Sequence, residues 1–519
     1  MSEPEKMFET QTVEKPTNAE VETKKSHSKK TARLSMTAGY KRYLGFRHRV
    51  KVRIVDGEAT EPLPSVVAIF DKEGVARGEL ELSSEQAELD FINGILPIKY
   101  RVPNSGEDVS GLKPWQIIWR TAKDEDVLVE RHLSQQMWKE KRGKKGEPAT
   151  RELMEVVKEV PCEWTGLQAG DALAMCLGGS GDYFAFATSN KLHAMGGEVF
   201  RIPPFKLQGH RGKEAKENDA KLLAELVTIY GEDFYPTVVR DRSIILVRET
   251  FKLRMDAMKD RMACVQRLRQ RLIGMVFCST GSSGFPDGNI EKHFETLKAT
   301  DNILGSILEQ EEKAFKAMTV AVEETDVWQK LFADLPGVGP AIAARIISAI
   351  IDVRRFETDA KLKKFMGVHV MPDGTFPRRR NGVVANWHPD ARQALYLLAY
   401  QFVKKPGSAW GTKLNEYKKK LREKYPQVCV QVTQAAASKL GIETAEKHVF
   451  IPIGLAPQKV KVKYEAKHPV TGEDITISGP QKYGDGHIHK MAIWRTLSKF
   501  VEWLHREWWK LEDDAQKAS

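Results

Sequence analysis

The chain has 519 residues, and 81 Lys and Arg against 70 Asp and Glu give a formal net charge of +11. Hydrophobic residues make up 41%, which excludes global disorder, and the length predicts about three domains. The positive balance favours a polyanionic partner, nucleic acid before membrane; the alternative is a soluble protein that is merely basic. Five cysteines, Cys162, Cys176, Cys264, Cys278 and Cys429, form no CxxC pair. Neither a disulfide scaffold nor a structural zinc site is expected, and they read as reduced thiols of a cytoplasmic protein. No apolar run of ~18 residues is present, so no membrane span is expected, and the amino terminus does not read as a signal peptide.

Residues 1–22 carry six acids and two lysines, and residues 23–50 carry nine Lys and Arg and no acid. This reads as a disordered tail over 1–45 that turns into a basic arm. Val50-Lys-Val-Arg-Ile-Val-Asp56 alternates and predicts the first strand. Ser65 to Asp71 and Gly78 to Leu82 predict the next two, and helical spacing follows from Ser84 to Leu96. Residues 98–150, with Trp115, Trp119 and a basic loop from Trp138 to Gly146, break the pattern and read as an insertion. The pattern resumes at Val156, with a strand at Glu198 to Ile202 and a helix at Ala220 to Val227 capped by Asn218. Strands with intervening helices predict an α/β domain over 46–240.

From Phe251, apolar residues recur at steps of three and four through Leu272, and the spacing returns from Leu304 to Val322. The segment 241–326 therefore predicts two long helices, either a coiled-coil hairpin or helices packed on the α/β domain. A third, mainly helical domain is expected over 327–511, interrupted by an insertion at 426–482. It closes on a helix carrying Trp494, Trp503, Trp508 and Trp509, residues expected in a core or an interface.

Leu335-Pro-Gly-Val-Gly-Pro340 ahead of a small-residue helix has the pattern of a helix-hairpin-helix turn. Gly337 and Gly339 would let backbone amides and a helix amino terminus meet a DNA phosphate; the alternative is a tight turn between packed helices. Asp56, Glu163 and Asp219 stand at predicted strand ends and a helix start, where carboxylates can hold Mg2+ or Mn2+ for phosphoryl transfer. Arg378, Arg379 and Arg380 form a candidate phosphate clamp or a solvated charge run. His487 and His489 do not share a helix face, so structural or phosphate contacts are expected of them instead of metal binding.

The colinear order of these pieces resembles the bridge-RNA-guided DEDD transposases of bacterial insertion sequences, the insertion-sequence 110 type, relatives of the pilin-gene invertases. Ile54-Val-Asp56, Glu163-Trp-Thr-Gly166, Gly197 to Pro203 and Asn218 to Leu226 resemble that family's acidic domain. Leu335 to Pro340, Arg355-Phe356, Lys364 to Gly367 and His388 to Leu398 resemble its second domain. The resemblance implies an RuvC-type, RNase H-like domain, a coiled coil and a carboxy-terminal transposase domain. It also implies Mg2+ or Mn2+ on Asp56, Glu163 and Asp219, with Glu217 adjacent, and an attacking hydroxyl in the 366–380 loop. Partners would be double-stranded DNA, a structured guide RNA and further copies of the chain in a homodimer or homotetramer, in the bacterial cytoplasm at the nucleoid. Two positions depart from the pattern. Lys216 stands where a fourth acid is expected, and Asp373-Gly374 stands for a Ser-Gly, leaving Thr375 as the available hydroxyl. The expected function is an RNA-guided, metal-dependent DNA transposase; the alternatives are a metal-dependent structure-specific nuclease and a catalytically degenerate nucleic-acid-binding protein.

Overall fold

The computed structural model describes residues 39–50, 54–55, 58–59, 62–104, 106–123, 134–141, 150–179, 181–278, 290–371, 375–379, 382, 385–454 and 463–518. Strand β1 is Arg42–Arg47, upstream of the strand predicted at 50–56. Its residues 43–46 are all buried, and a strand covered on both faces shows no alternation. The predicted stretch instead contributes a bridge from Val50 to Leu63 and a small hairpin of β2 (Ile54–Val55) and β3 (Glu58–Ala59). Strands β4 (Ser65–Asp71) and β5 (Ala76–Leu82) and helix α1 (Glu85–Asn93) follow the sequence expectation. The Ser84 hydroxyl caps α1 by accepting from the Ala87 amide.

β6 (Leu96–Arg101), β7 (Ile118–Thr121) and β8 (Ser134–Lys141) all pair antiparallel with the long β9 (Thr150–Thr165). The segment expected as an insertion at 98–150 thus supplies most of a second sheet. The chain then returns through β10 (Asp171–Cys176), α2 (Asp182–Ala194), β11 (Glu198–Ile202), α3 (Pro204–Arg211), α4 (Asp219–Ile229) and β12 (Tyr235–Pro236). The main sheet has the order β12-β11-β10-β1-β4-β5, with β1, β10 and β11 parallel. Tyr43, Ala174 and Phe200 face a core shared with α4; Leu44, Met175 and Val199 face the opposite core, shared with α1 and α2. Helix α4 lies directly on β1 because residue 45 is glycine: a Cβ there would sit 1.9 Å from the Ala220 carbonyl oxygen. Asn218 makes no capping bond to α4, contrary to expectation.

Helix α5 (Val239–Phe277) is followed by α6 (Ile290–Thr300) and α7 (Asn302–Glu323). Phe251 shares a core with Met318, Arg254 lies 4.9 Å from the Phe315 ring, and Leu272 clusters with Leu304. The pairing runs in opposite directions, so α5 and α7 are antiparallel. The remaining chain forms α8 (Pro340–Ile350), α9 (Asp359–Phe365), α10 (Pro389–Lys404), α11 (Ala409–Lys424), β13 (Val428–Thr433), α12 (Gln434–Lys439), β14 (His448–Gly454), β15 (Tyr464–Lys467), β16 (Asp474–Ile477), β17 (Gln481–Lys482) and α13 (Asp485–Ala518). The architecture is α/β plus α, as expected. The 426–482 segment gathers its own small core around Val430, Ile451, Tyr464 and Ile477. On α13, Trp508 is fully buried, in keeping with a core role.

A buried charge network joins these parts. Asp241, in the first turn of α5, pairs through Oδ1 with Arg354 (2.8 Å) and Arg201 (3.1 Å), and through Oδ2 accepts from the Val238 amide (3.0 Å). Arg354 also pairs with Asp352 (2.6 Å) and lies over the Tyr235 ring. Burial works to raise the Asp352 carboxyl, but the charge and hydrogen bonds of Arg354 outweigh it and hold it below the usual range. Glu512 of α13 pairs with Arg240 and accepts from Trp508 Nε1 (3.1 Å). Burial first, and then the charge of Asp352, push Glu512 up to about 7. Just before Asp352, Ile351 is held at φ 64°, a strained backbone for a β-branched residue.

Two expectations follow. Gly45→Ala forces α4 off β1 against a backbone oxygen, and is expected to cost about 1–3 kcal/mol, read as a lower urea midpoint. The raised Glu512 carboxyl contributes stability that is full below about pH 4.5 and is lost as pH rises through 7. The melting temperature of Glu512→Gln should therefore fall less between pH 5 and pH 8 than that of the parent; parallel curves would refute the assignment.

Candidate functional site

The carboxy-terminal ends of parallel strands are where α/β sheets usually place a ligand. Here β1 ends in Arg47-His48, β10 ends in Cys176 and leads to Gly178-Gly179, and β11 leads into α3. Between them lies a cavity of about 520 Å3, lined by Arg47, His48, Cys176, Arg211, Lys216 and Asp219 among others. Asp219, the first residue of α4, is clasped by Arg211: Nε donates to Oδ1 (2.6 Å) and Nη2 to Oδ2 (2.7 Å). Burial, followed by the charge of Asp219, pushes the Cys176 thiol up to about 11, so it stays protonated. Burial holds His48 below its ordinary value, so it is neutral at pH 7. Arg355 reaches the rim from the third domain: a Cβ on Gly178 would lie 2.7 Å from its side chain.

Of the predicted acids, Asp219 lines this cavity and Glu163 does not. Asp56 lies outside the described residues. Glu163 is in β9, opposite Lys99 of β6, whose Nζ donates to it at 2.8 Å on an exposed face of the second sheet. Its neighbour Gly166 is needed for packing, since a Cβ there would lie 2.4 Å from the Gly94 Cα. Glu217 is exposed in a 3-10 turn over Lys216–Asn218. A divalent cation needs several free carboxylate oxygens. Among the described residues, the cavity offers one carboxylate, already bound by Arg211 and flanked by Arg47 and Lys216. These residues do not fit Mg2+ or Mn2+. Nor do any three His, Cys, Asp or Glu of the described residues gather as metal ligands.

In the third domain, Gly337 takes φ 93°, with Gln401 of α10 where a Cβ would go (2.7 Å). Gly339 caps α8, and Pro340 opens it. The turn thus leads into α8 and packs on α10. The loop carrying Thr375 is anchored just beyond it. Phe376 stacks on Trp494, and the Pro377 carbonyl accepts from Arg392 Nη2 at 2.6 Å. Arg392 lies between the rings of Trp387 (4.2 Å) and Trp494 (4.9 Å). Beyond this anchor, Arg378 and Arg379 are exposed; Asp373 and Arg380 lie outside the described residues. Burial, then the charge of Arg378, lowers Lys482. His487 Nδ1 accepts from the Tyr483 amide (2.9 Å), a structural role.

Sequence reasoning missed Arg47 and His48 because their strand, β1, was sought downstream, and it missed Cys176 and Arg211 because they reach the cavity from β10 and α3 only in three dimensions. It missed the Arg392 anchor because tryptophans 107 positions apart in the chain, Trp387 and Trp494, meet only in three dimensions. No curated protein matches the chain. Residues 329–413, which hold the Gly337 turn, the anchored loop and helix α10, match the family model described as Transposase IS116/IS110/IS902 family.

Proposed function

We propose that this protein is a DNA-handling protein of transposase type, which grips double-stranded DNA with its third domain. The transposase-family match over residues 329–413 carries that reading. The exposed Arg378 and Arg379, held on a loop anchored by Arg392, supply the cationic contact that a phosphate backbone requires. The strand order of the main sheet supports an RNase H-like domain, and the antiparallel α5 and α7 support a coiled coil. A structured guide RNA and a homodimer or homotetramer are consistent with the same reading. No helix among the described residues is long and apolar enough to cross a membrane.

The arginine-clasped Asp219 favours a protein whose α/β domain binds nucleic acid without metal-dependent hydrolysis. A second reading keeps strand exchange, with Thr375 attacking, because the loop that holds Thr375 is fixed by Phe376 and Pro377. The purified chain, with its co-expressed RNA, should bind duplex DNA with an affinity that falls steeply with salt. Replacing Arg378 and Arg379 together by serine should lower the salt slope by about two and weaken all sequences alike. No nicking is expected with Mg2+ or Mn2+; a covalent protein–DNA adduct lost in Thr375→Ala would establish the second reading instead. Arg392→Lys keeps the charge but loses the planar stack. It should raise proteolysis of the 375–387 loop and weaken duplex binding several-fold, with helix content unchanged by circular dichroism.

A further inference from the structure

Three fixed cations, Arg47, Arg211 and Lys216, line the strand-end cavity against a single carboxylate. Arg211 is committed to Asp219 by two short bonds, so that pair is neutral as a unit. Arg47 is not so committed: among the described residues its Nε and Nη1 are buried with no hydrogen-bond partner. A guanidinium desolvated in this way is costly unless an acceptor arrives. Lys216 is exposed at the mouth. His48, neutral because of burial, adds a ring nitrogen without adding charge. Gly178, Gly179 and Gly181 also line the cavity, and nothing lies within 4 Å of the Cβ position of Gly179.

We infer that this cavity is a phosphate site, in which Arg47 and Lys216 hold a phosphate oxyanion of a nucleic-acid strand where an acidic cluster would hold a metal. The guanidinium of Arg47 supplies the charge and donates from Nε or Nη1, the two buried N–H groups that have no partner among the described residues. Lys216 closes on the remaining charge from the rim. Arg355, which the third domain places against Gly178, extends the positive field toward that domain. A strand whose phosphate sits here would therefore run between the two domains. This inference rests on the reading of the protein as a nucleic-acid binder, but it concerns a different surface from Arg378 and Arg379.

The test uses the full chain and two probes. Inorganic phosphate should raise the melting temperature of the parent, and Arg47→Ser and Lys216→Ser should each lose that rise. Lys216 is exposed, so its variant reports on the site even if Arg47→Ser folds poorly. A fluorescent single-stranded oligonucleotide should bind about tenfold more weakly to either variant, the loss expected for one charge-assisted phosphate contact. The oligonucleotide is used with and without a 5′-phosphate. Dependence on that group assigns a strand end, and indifference assigns a backbone diester. A phosphate-induced rise that persists in both variants would overturn the inference. So would a Mg2+-induced rise in the parent that Asp219→Asn abolishes. The Arg378 and Arg379 double variant should keep the phosphate response while losing duplex affinity. If the parent ignores duplex DNA yet the phosphate response depends on Arg47 and Lys216, the DNA-handling reading falls and the phosphate site stands.

Discussion

Asp241 sits where three parts of the chain meet, and its carboxylate holds an arginine from each side. Arg201 comes from the main sheet, Arg354 from the third domain, and Asp241 itself opens α5. All three are almost fully buried. Two charges taken out of water gain little net stability together, but removing one leaves its partner stranded at a cost of about 3–5 kcal/mol. The network therefore acts less as a source of stability than as a constraint on geometry. Few relative placements of the parts satisfy every charge at once. The placement that does so sets Arg355, the residue after Arg354, against the glycine loop at the strand ends. The position of the third domain over the cavity is thus a consequence of charge pairing some distance from it.

The elements that sequence reasoning placed well are those in which one physical signal dominates. β4 and β5 flank a tight turn, α1 begins at a serine cap, and α5 and α7 show long helical spacing. β1 was misplaced because Tyr43 to Phe46 form a short buried run within a basic stretch, whereas Val50 to Asp56 alternates cleanly. Alternation signals a half-exposed strand, and the centre of a covered sheet is where that signal fails. The second sheet was invisible for a related reason. β9 is long, and its pairing with β6, β7 and β8 is non-local.

The candidate site divides along the same line. The Gly337 turn and the arginines after Thr375 were legible because a short motif carries them. The acids were sought by residue type at predicted strand ends and a helix start; Asp219 does line the strand-end cavity, whereas Glu163 lies on the second sheet. Lys216 gave the one warning in the sequence that the acidic pattern was broken. With the strands in their observed places, that warning has companions in Arg47 and Arg211. The family match falls within the third domain, where the local motifs were strongest.

The Arg211 clasp on Asp219 also bears on how such a cavity could change over generations. A carboxylate introduced at residue 47, 176 or 216 would meet at least one arginine or lysine within the same walls. It would form an ion pair there before it could form a metal site. Several replacements would have to arrive together, with Arg211 among them, before a cation found enough free oxygens. Single mutations in either direction lead through states that bind neither ion well. A change from acids to bases at these strand ends therefore behaves as a ratchet: once the clasp is in place, each isolated step back is captured by the cations that remain.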